Sequence, residues 1–231
     1  CPELSKEQLA ITDFGSYSTD QFFDDMYRLT HFRTDPDLCE TLVTQSRETM
    51  IWLQKNGIRF MPIYGRQAFK HEGRFKFWGG LTLESWGGGP GLVDRETDLA
   101  QKAGIEIRYS ARVLSLIHSE SGVNGVKVKM EGKTHEIKSR AVVLACGGFE
   151  SNTEWRTRYL GPGWEMAKVR GTCFNTGDGI RMALEVGASP YGNWSGCHAV
   201  GWDYNAPEFG DLAVGDGFQK HSYPFGIIVN A

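Results

Sequence analysis

Residues 140–152 read RAVVLACGGFESN. The apolar run from Ala141 to Cys146 ends at Gly147-Gly148, and Phe149 and the pair Ser151-Asn152 follow. An apolar run of this length closed by glycines predicts a buried strand, with a backbone able to pass close to something flat just beyond it. The same glycines also suit a bare tight turn from strand to helix, so the flanks have to decide between the two.

Downstream, Ser151 is the expected cap of a helix, Gly161-Pro-Gly163 a loop, and Asn175-Thr-Gly-Asp-Gly179 the opening of a second helix over 180–186, which Gly187 ends. Residues 188–226 read as irregular and rich in Gly, Trp, Tyr and His, and 227–230 as the start of a strand. Upstream, short strands are predicted over 113–117, 125–130 and 134–137, separated by turn signals at Ser121-Gly122 and Glu131-Gly132. They form an antiparallel meander. Before it, Ile105, Ile107 and Tyr109 alternate as a strand should, after a helix over 92–102 stopped by Gly104. Residues 64–91 read as a loop of aromatic and basic residues ending in the cluster Gly87-Gly88-Gly89-Pro90-Gly91, with a strand over 58–61 before it. Asp35 as N-cap, Pro36 at the first helical position and Asp37 beside it mark the clearest helix start, with Asn56-Gly57 as its stop. Ser18-Thr-Asp-Gln21 is a capping box opening a shorter helix. Residues 1–12 carry little signal.

The chain of 231 residues is long enough to bury a real core, and 40% hydrophobic with 23% charged residues places it in the ordinary globular class. A net charge of -3 without a Lys/Arg run argues against nucleic acid as a partner. No apolar stretch reaches transmembrane length. Five cysteines, Cys1, Cys39, Cys146, Cys173 and Cys197, stand apart without a CxxC, which fits free thiols in a reducing, cytoplasmic setting rather than a disulfide frame or a metal site. The 29 glycines are the outlier, clustered beside apolar strands where backbones approach a cofactor.

Two glycine-led turns each open a helix: Gly147-Gly148, and Thr176-Gly-Asp-Gly179. A helix N-terminus with bare amides suits a phosphate or another electron-rich group. Glycines that merely permit a tight turn, and Asp178 as a plain cap, account for the same residues. A GxGxxG after an early strand is absent, as are P-loop, HExxH, GxSxG and EF-hand patterns. His198 stands next to Cys197 between Trp194 and Trp202. Sequence neighbours seldom meet as nucleophile and base, and His198, His71 and His221 read on their own as ordinary loop histidines.

Taken in order, the motifs are more specific than any one of them. An Asp-Pro-x-Leu helix ends in Trp-Leu-x-x-x-Gly, and a Gly-Gly-x-Gly turn precedes a helix ending Ala-Gly-Ile. The meander, Val-Val-Leu-Ala-Cys-Gly-Gly-Phe-Glu-x-Asn, and Asn-Thr-Gly-Asp-Gly-Ile-x-Met-Ala come after them. From about Thr12 to its end the chain resembles the flavoprotein subunits of the fumarate reductase/succinate dehydrogenase family, and within it the tract 158–231 points to a tricarboxylate-specific member. The fold this implies is α/β, a partial FAD-binding domain of mixed sheet with an antiparallel β-meander. It would lack its N-terminal dinucleotide-binding βαβ unit and would be an internal fragment. Residues 1–195 would belong to the FAD-binding domain and 196–231 would begin a substrate-capping domain, whose catalytic arginine would lie beyond the chain. The chain alone would then be inactive.

The resemblance implies FAD as cofactor, with Ala145, Cys146, Gly147 and Gly148 along the flavin nucleotide and Val113 meeting the adenine through its backbone. Gly88 and Gly89 would approach the flavin, and Thr176, Gly177 and Asp178 would help close the site. His198 corresponds to the family histidine that binds a substrate carboxylate, although Ala199 stands where proline is usual, and the family's Thr-Glu pair falls near Phe218-Gln219. The implied chemistry is hydride transfer between flavin and a polycarboxylate carbon, with an electron-accepting redox protein as partner.

Overall fold

The computed structural model describes residues 4–77, 80–219, 227 and 229. Its contacts divide the chain into two units, Cys1–Arg108 and Tyr109–Ala231.

In the first unit, helix α1 (Lys6–Ile11) opens on a capping box. The Ser5 hydroxyl accepts the Gln8 amide at 3.1 Å, and Gln8 Oε1 accepts the Ser5 amide at 2.8 Å. Strand β1 (Thr12–Asp13) follows. The predicted box at Ser18 and Gln21 opens α2 (Thr19–Leu29), and Asp35 accepts the Leu38 amide at 2.9 Å to open α3 (Pro36–Lys55). Cys39 and Val43 are the buried residues of α3, four apart on one face.

The region 64–91 differs from the expected loop. After β2 (Phe60–Pro62) come α4 (Tyr64–Gln67), the hairpin β3 (Ala68–His71) and β4 (Arg74–Phe77), strand β5 (Leu83–Ser85), and α5 (Gly88–Lys102), which starts four residues earlier than predicted. The hairpin turns at Glu72 and Gly73, both at positive φ (52° and 78°), the mirror-image turn that matches strand twist. Glutamate at its first position hid it, because Asn-Gly or Asp-Gly is the usual signal. β4 pairs in parallel with β1 and antiparallel with β3, and β2 pairs antiparallel with β5. Phe75 and Phe77 pack on Tyr64, whose hydroxyl lies 3.0 Å from Thr12 Oγ1, so alternation along β4 builds a small core around Tyr64 and Thr12; Ile58 and Pro62 are also buried in this unit.

In the second unit the meander is as predicted: β6 (Arg112–Ser119), β7 (Gly122–Met130) and β8 (Lys133–Lys138) pair antiparallel in that order. Its last turn, Glu131-Gly132, again has both residues at positive φ (49° and 76°). Helix α6 (Thr153–Leu160) and helix α7 (Asp178–Glu185) follow, with short 3-10 turns over Trp164–Met166 and Gly215–Phe218. Val128, Val169, Met182 and Ala206 are buried here.

Two predicted strands do not form. Residues 141–146 form no regular element and pair with no strand, and Val143 is 89% exposed. Residues 105–109 are likewise unpaired and exposed throughout. Apolar content and alternation specify which face a strand would bury, but a strand exists only where a neighbour's amides and carbonyls complete its ladder, and none among the described residues does so here. The strand expected over 227–230 includes positions outside the described residues; Ile227 and Val229 are in no strand.

No helix among the described residues is long and apolar enough to cross a membrane. Cys39, Cys146, Cys173 and Cys197 are free thiols, and no group of three or more His, Cys, Asp or Glu among the described residues could hold a metal ion.

Candidate functional site

The second unit brings the two glycine turns together. The Gly177 amide donates to the Gly148 carbonyl at 3.0 Å, and the Ser151 amide to the Asn175 carbonyl at 2.9 Å. The Asn152 side chain donates to the Thr176 carbonyl at 2.9 Å, and the Ser151 hydroxyl to the Thr172 carbonyl at 2.5 Å. Asn175 Nδ2 donates to Glu150 Oε1, and its Oδ1 stands 2.6 Å from where a Cβ on Gly147 would sit. A side chain at position 147 would therefore displace Asn175.

The cap of α6 is Asn152, whose Oδ1 accepts the Trp155 amide at 3.1 Å, not Ser151 as expected. Ser151 is one residue too early to reach the first free amides and bonds the neighbouring loop instead. The first turn of α7 passes beside residues 144–147: a Cβ on Gly179 would lie 3.1 Å from Cys146 Sγ. Asp178 opens α7 and faces Arg112 at 3.7 Å and Arg181 at 3.9 Å, while Arg181 also donates to the Leu114 carbonyl at 3.1 Å. That pair of arginine contacts ties the Val113 end of β6 to the start of α7.

Val113, Cys146, Gly147, Gly148, Thr176, Gly177 and Asp178 are thus set in one linked locality, and Ala145 precedes it directly. Among the described residues no backbone hydrogen bond is donated by the amides of residues 141–149. Ala145, Cys146 and Gly147 are exposed. Small side chains, open amides and an adjacent helix N-terminus form a surface that fits the pyrophosphate and sugar of a dinucleotide.

Gly88 and Gly89 lie in the other unit, at the start of α5. A Cβ on Gly89 would meet nothing within 4 Å, so its face is open. Nearby, Trp86, Arg59 and Arg95 help line a recess of about 480 Å³, with the Arg59 guanidinium 4.5 Å above the Trp86 ring. His198 is exposed in an irregular segment of the second unit. That segment is held by Trp194, which joins Phe149, Trp155 and Tyr159 in an aromatic cluster, its ring 4.9 Å from that of Tyr159. Phe218 and Gln219 pair with another segment: the Phe218 carbonyl accepts the Asp203 amide at 3.0 Å, and Gln219 bridges Trp202.

Sequence reasoning did not single out Glu150, Arg156 or the Asn175 side chain. The motif Asn-Thr-Gly-Asp-Gly held Asn175, but nothing local shows that its amide reaches a residue 25 positions earlier.

Residues 7–199 match the family described as FAD binding domain. The chain is 28% identical over 171 residues to vinyl phenol reductase of Lactiplantibacillus plantarum, covering 70% of this chain and 32% of that protein. It is 27% identical over 170 residues to the probable fumarate reductase Ifc3 of Shewanella frigidimarina, covering 73% and 28%. The chain spans about a third of the length of these curated relatives. Among solved structures, 3-ketosteroid-delta4-(5alpha)-dehydrogenase from Rhodococcus jostii RHA1 is similar with a TM-score of 0.60 at 21% identity, over 80% of this chain and 44% of that one, which shows the fold.

Proposed function

The chain belongs to the FAD binding domain family, and we propose that it is part of an FAD-dependent dehydrogenase of a tricarboxylate, resembling tricarballylate dehydrogenase and converting tricarballylate to cis-aconitate. The observation that carries the cofactor half of this reading is the linked pair of glycine turns with open amides along residues 145–148. The substrate half rests on the resemblance of the tract 158–231. FAD, when bound, supplies the acceptor for the hydride that leaves one substrate carbon as the neighbouring carbon loses a proton. The two electrons pass on to a redox partner protein.

In this reading the residues of the chain bind and orient. The amides of Ala145, Cys146, Gly147 and Gly148 face the nucleotide, and Val113 borders the adenine. Thr176, Gly177 and Asp178 close the site, and Gly88 and Gly89 approach the ring system. His198 donates a hydrogen bond to a substrate carboxylate. The boundary near residue 195, with a capping domain starting at 196, belongs to the same proposal, as does a cytoplasmic location.

A second reading is a reductase of another unsaturated substrate. It is favoured by the named relatives, which include vinyl phenol, fumarate and urocanate reductases at 27–28% identity. Turnover by the FAD-loaded parent enzyme that contains this chain decides between them. Dye reduction coupled to formation of cis-aconitate from tricarballylate supports the first reading. Oxidation of reduced viologen by an enoate, with no dye reduced by tricarballylate, replaces it with the second. A parent enzyme that takes up no flavin overturns both.

A further inference from the structure

Behind the Gly147-Gly148 turn sits a cation that no motif announces. Arg156, on α6, is 6% exposed. Its Nη1 donates to the Glu150 carbonyl at 2.7 Å and its Nη2 to the Glu165 carbonyl at 3.1 Å. Its Nε is enclosed, with no hydrogen-bond partner among the described residues. Burying a guanidinium is unfavourable unless its hydrogens are bonded, so a role is needed that only this side chain fills. The two carbonyls come from different segments, Glu150 before α6 and Glu165 after it. A planar fork with donors fixed in direction reaches both at once and sets the angle between them, whereas a lysine ammonium, which can also bond two carbonyls, has rotating donors that fix no such direction.

From Arg156 a continuous path leads to the open turn. Glu150, clamped through its carbonyl, extends its carboxylate to Asn175 Nδ2, and the Asn175 amide lies over Gly147. The Asn175 carbonyl in turn holds the Ser151 amide.

We propose that Arg156 is a positioning residue for the cofactor-facing turn: by clamping Glu150 it sets where the Gly147-Gly148 amides stand against the Gly177 turn. The cofactor part of this role rests on the FAD reading above. The clamp itself does not.

Two variants separate fork from charge. Arg156→Lys keeps the cation and loses the fork; Arg156→Gln loses both. In the parent enzyme, amide hydrogen exchange at Ser151 and Gly177 is expected to speed at least tenfold in both variants, with the β7–β8 ladder unchanged. The FAD Kd, read by flavin fluorescence, is expected to rise at least threefold in both. Unchanged exchange at Ser151 and Gly177 overturns the clamp. So does full recovery in Arg156→Lys, which would make charge alone sufficient. An equal loss of protection across β7 and β8 makes Arg156 a residue of general stability and also overturns it. If the unsubstituted parent enzyme takes up no FAD, the cofactor role falls with the FAD reading, while the exchange data still decide the clamp.

Discussion

The amide of Gly177 donates to the carbonyl of Gly148 at 3.0 Å, so the second glycine turn is bonded directly onto the first. Gly177 is at φ 83°, and a Cβ there would lie 2.7 Å from the Trp155 ring. Gly177→Ala therefore combines left-handed strain with a clash against a packed aromatic, and is expected to cost about 2–4 kcal/mol. Urea unfolding followed by tryptophan fluorescence measures it; a loss below about 1 kcal/mol would show that the turn re-forms elsewhere.

Asn152 and Ser151 are neighbours with different work. Asn152→Ala removes both the α6 cap and the bond to Thr176, an expected loss of about 1–2.5 kcal/mol. Ser151→Ala removes the hydroxyl bond to Thr172, about 0.5–1.5 kcal/mol. Equal effects, or the reverse order, in denaturant titrations would restore Ser151 as the cap.

Within the cluster at 87–91, the glycines are not equivalent. A Cβ on Gly91 would be driven into the Trp86 carbonyl, whereas one on Gly89 would meet open space. Gly91→Ala is expected to destabilise the first unit by more than about 2 kcal/mol. Gly89→Ala should change the stability of the fold by less than about 1 kcal/mol in either direction, since alanine's gain in a helix is opposed by crowding against the ring of Pro90 that follows it. If Gly89 approaches the flavin, the same alanine weakens FAD binding in a fluorescence titration; an unaltered Kd removes Gly89 from the site.

Glu165 accepts the Gly163 amide at 2.8 Å and lies near the Thr157 hydroxyl at 3.3 Å. Its own backbone amide, then that of Gly163, then Thr157 and the Arg156 charge hold its carboxyl below the usual 4.5. A folded value below the unfolded one contributes stability above the unfolded value, lost as pH falls through the folded value. Glu165 is solvent-exposed, so the effect is local and small. Carboxyl NMR should show Glu165 titrating below the chain's ordinary glutamates, and moving up toward them in Arg156→Gln.

For the proposed dehydrogenase, His198→Ala is expected to raise KM for the tricarboxylate at least tenfold, as befits loss of a hydrogen bond to a charged carboxylate. Steady-state kinetics in the parent enzyme checks it. An unchanged KM removes His198 from the substrate site.

Much of the local structure is legible in the chain itself. Ser18 with Gln21, and Asp35 before Pro36, open helices where they should, because a cap needs only a side-chain oxygen within three residues of a free amide. The meander over 112–138 is readable for a similar reason: each strand pairs with the next across a short turn. The hairpin at Glu72-Gly73 has the same physics but was masked by an uncommon first residue.

What residues 140–152 could not show by themselves is their partner. Their apolar run pairs with no strand among the described residues, because pairing is decided by which edge the rest of the chain presents. The glycines at 147, 148, 177 and 179 mark two tight turns from sequence alone, since few other residues fit there. That the turns are bonded to each other through Gly148, Glu150, Asn175 and Gly177, with Arg156 buried behind them, was settled only by folding. Such contacts join residues some 25 positions apart, and no local propensity encodes which distant amide will meet which carbonyl.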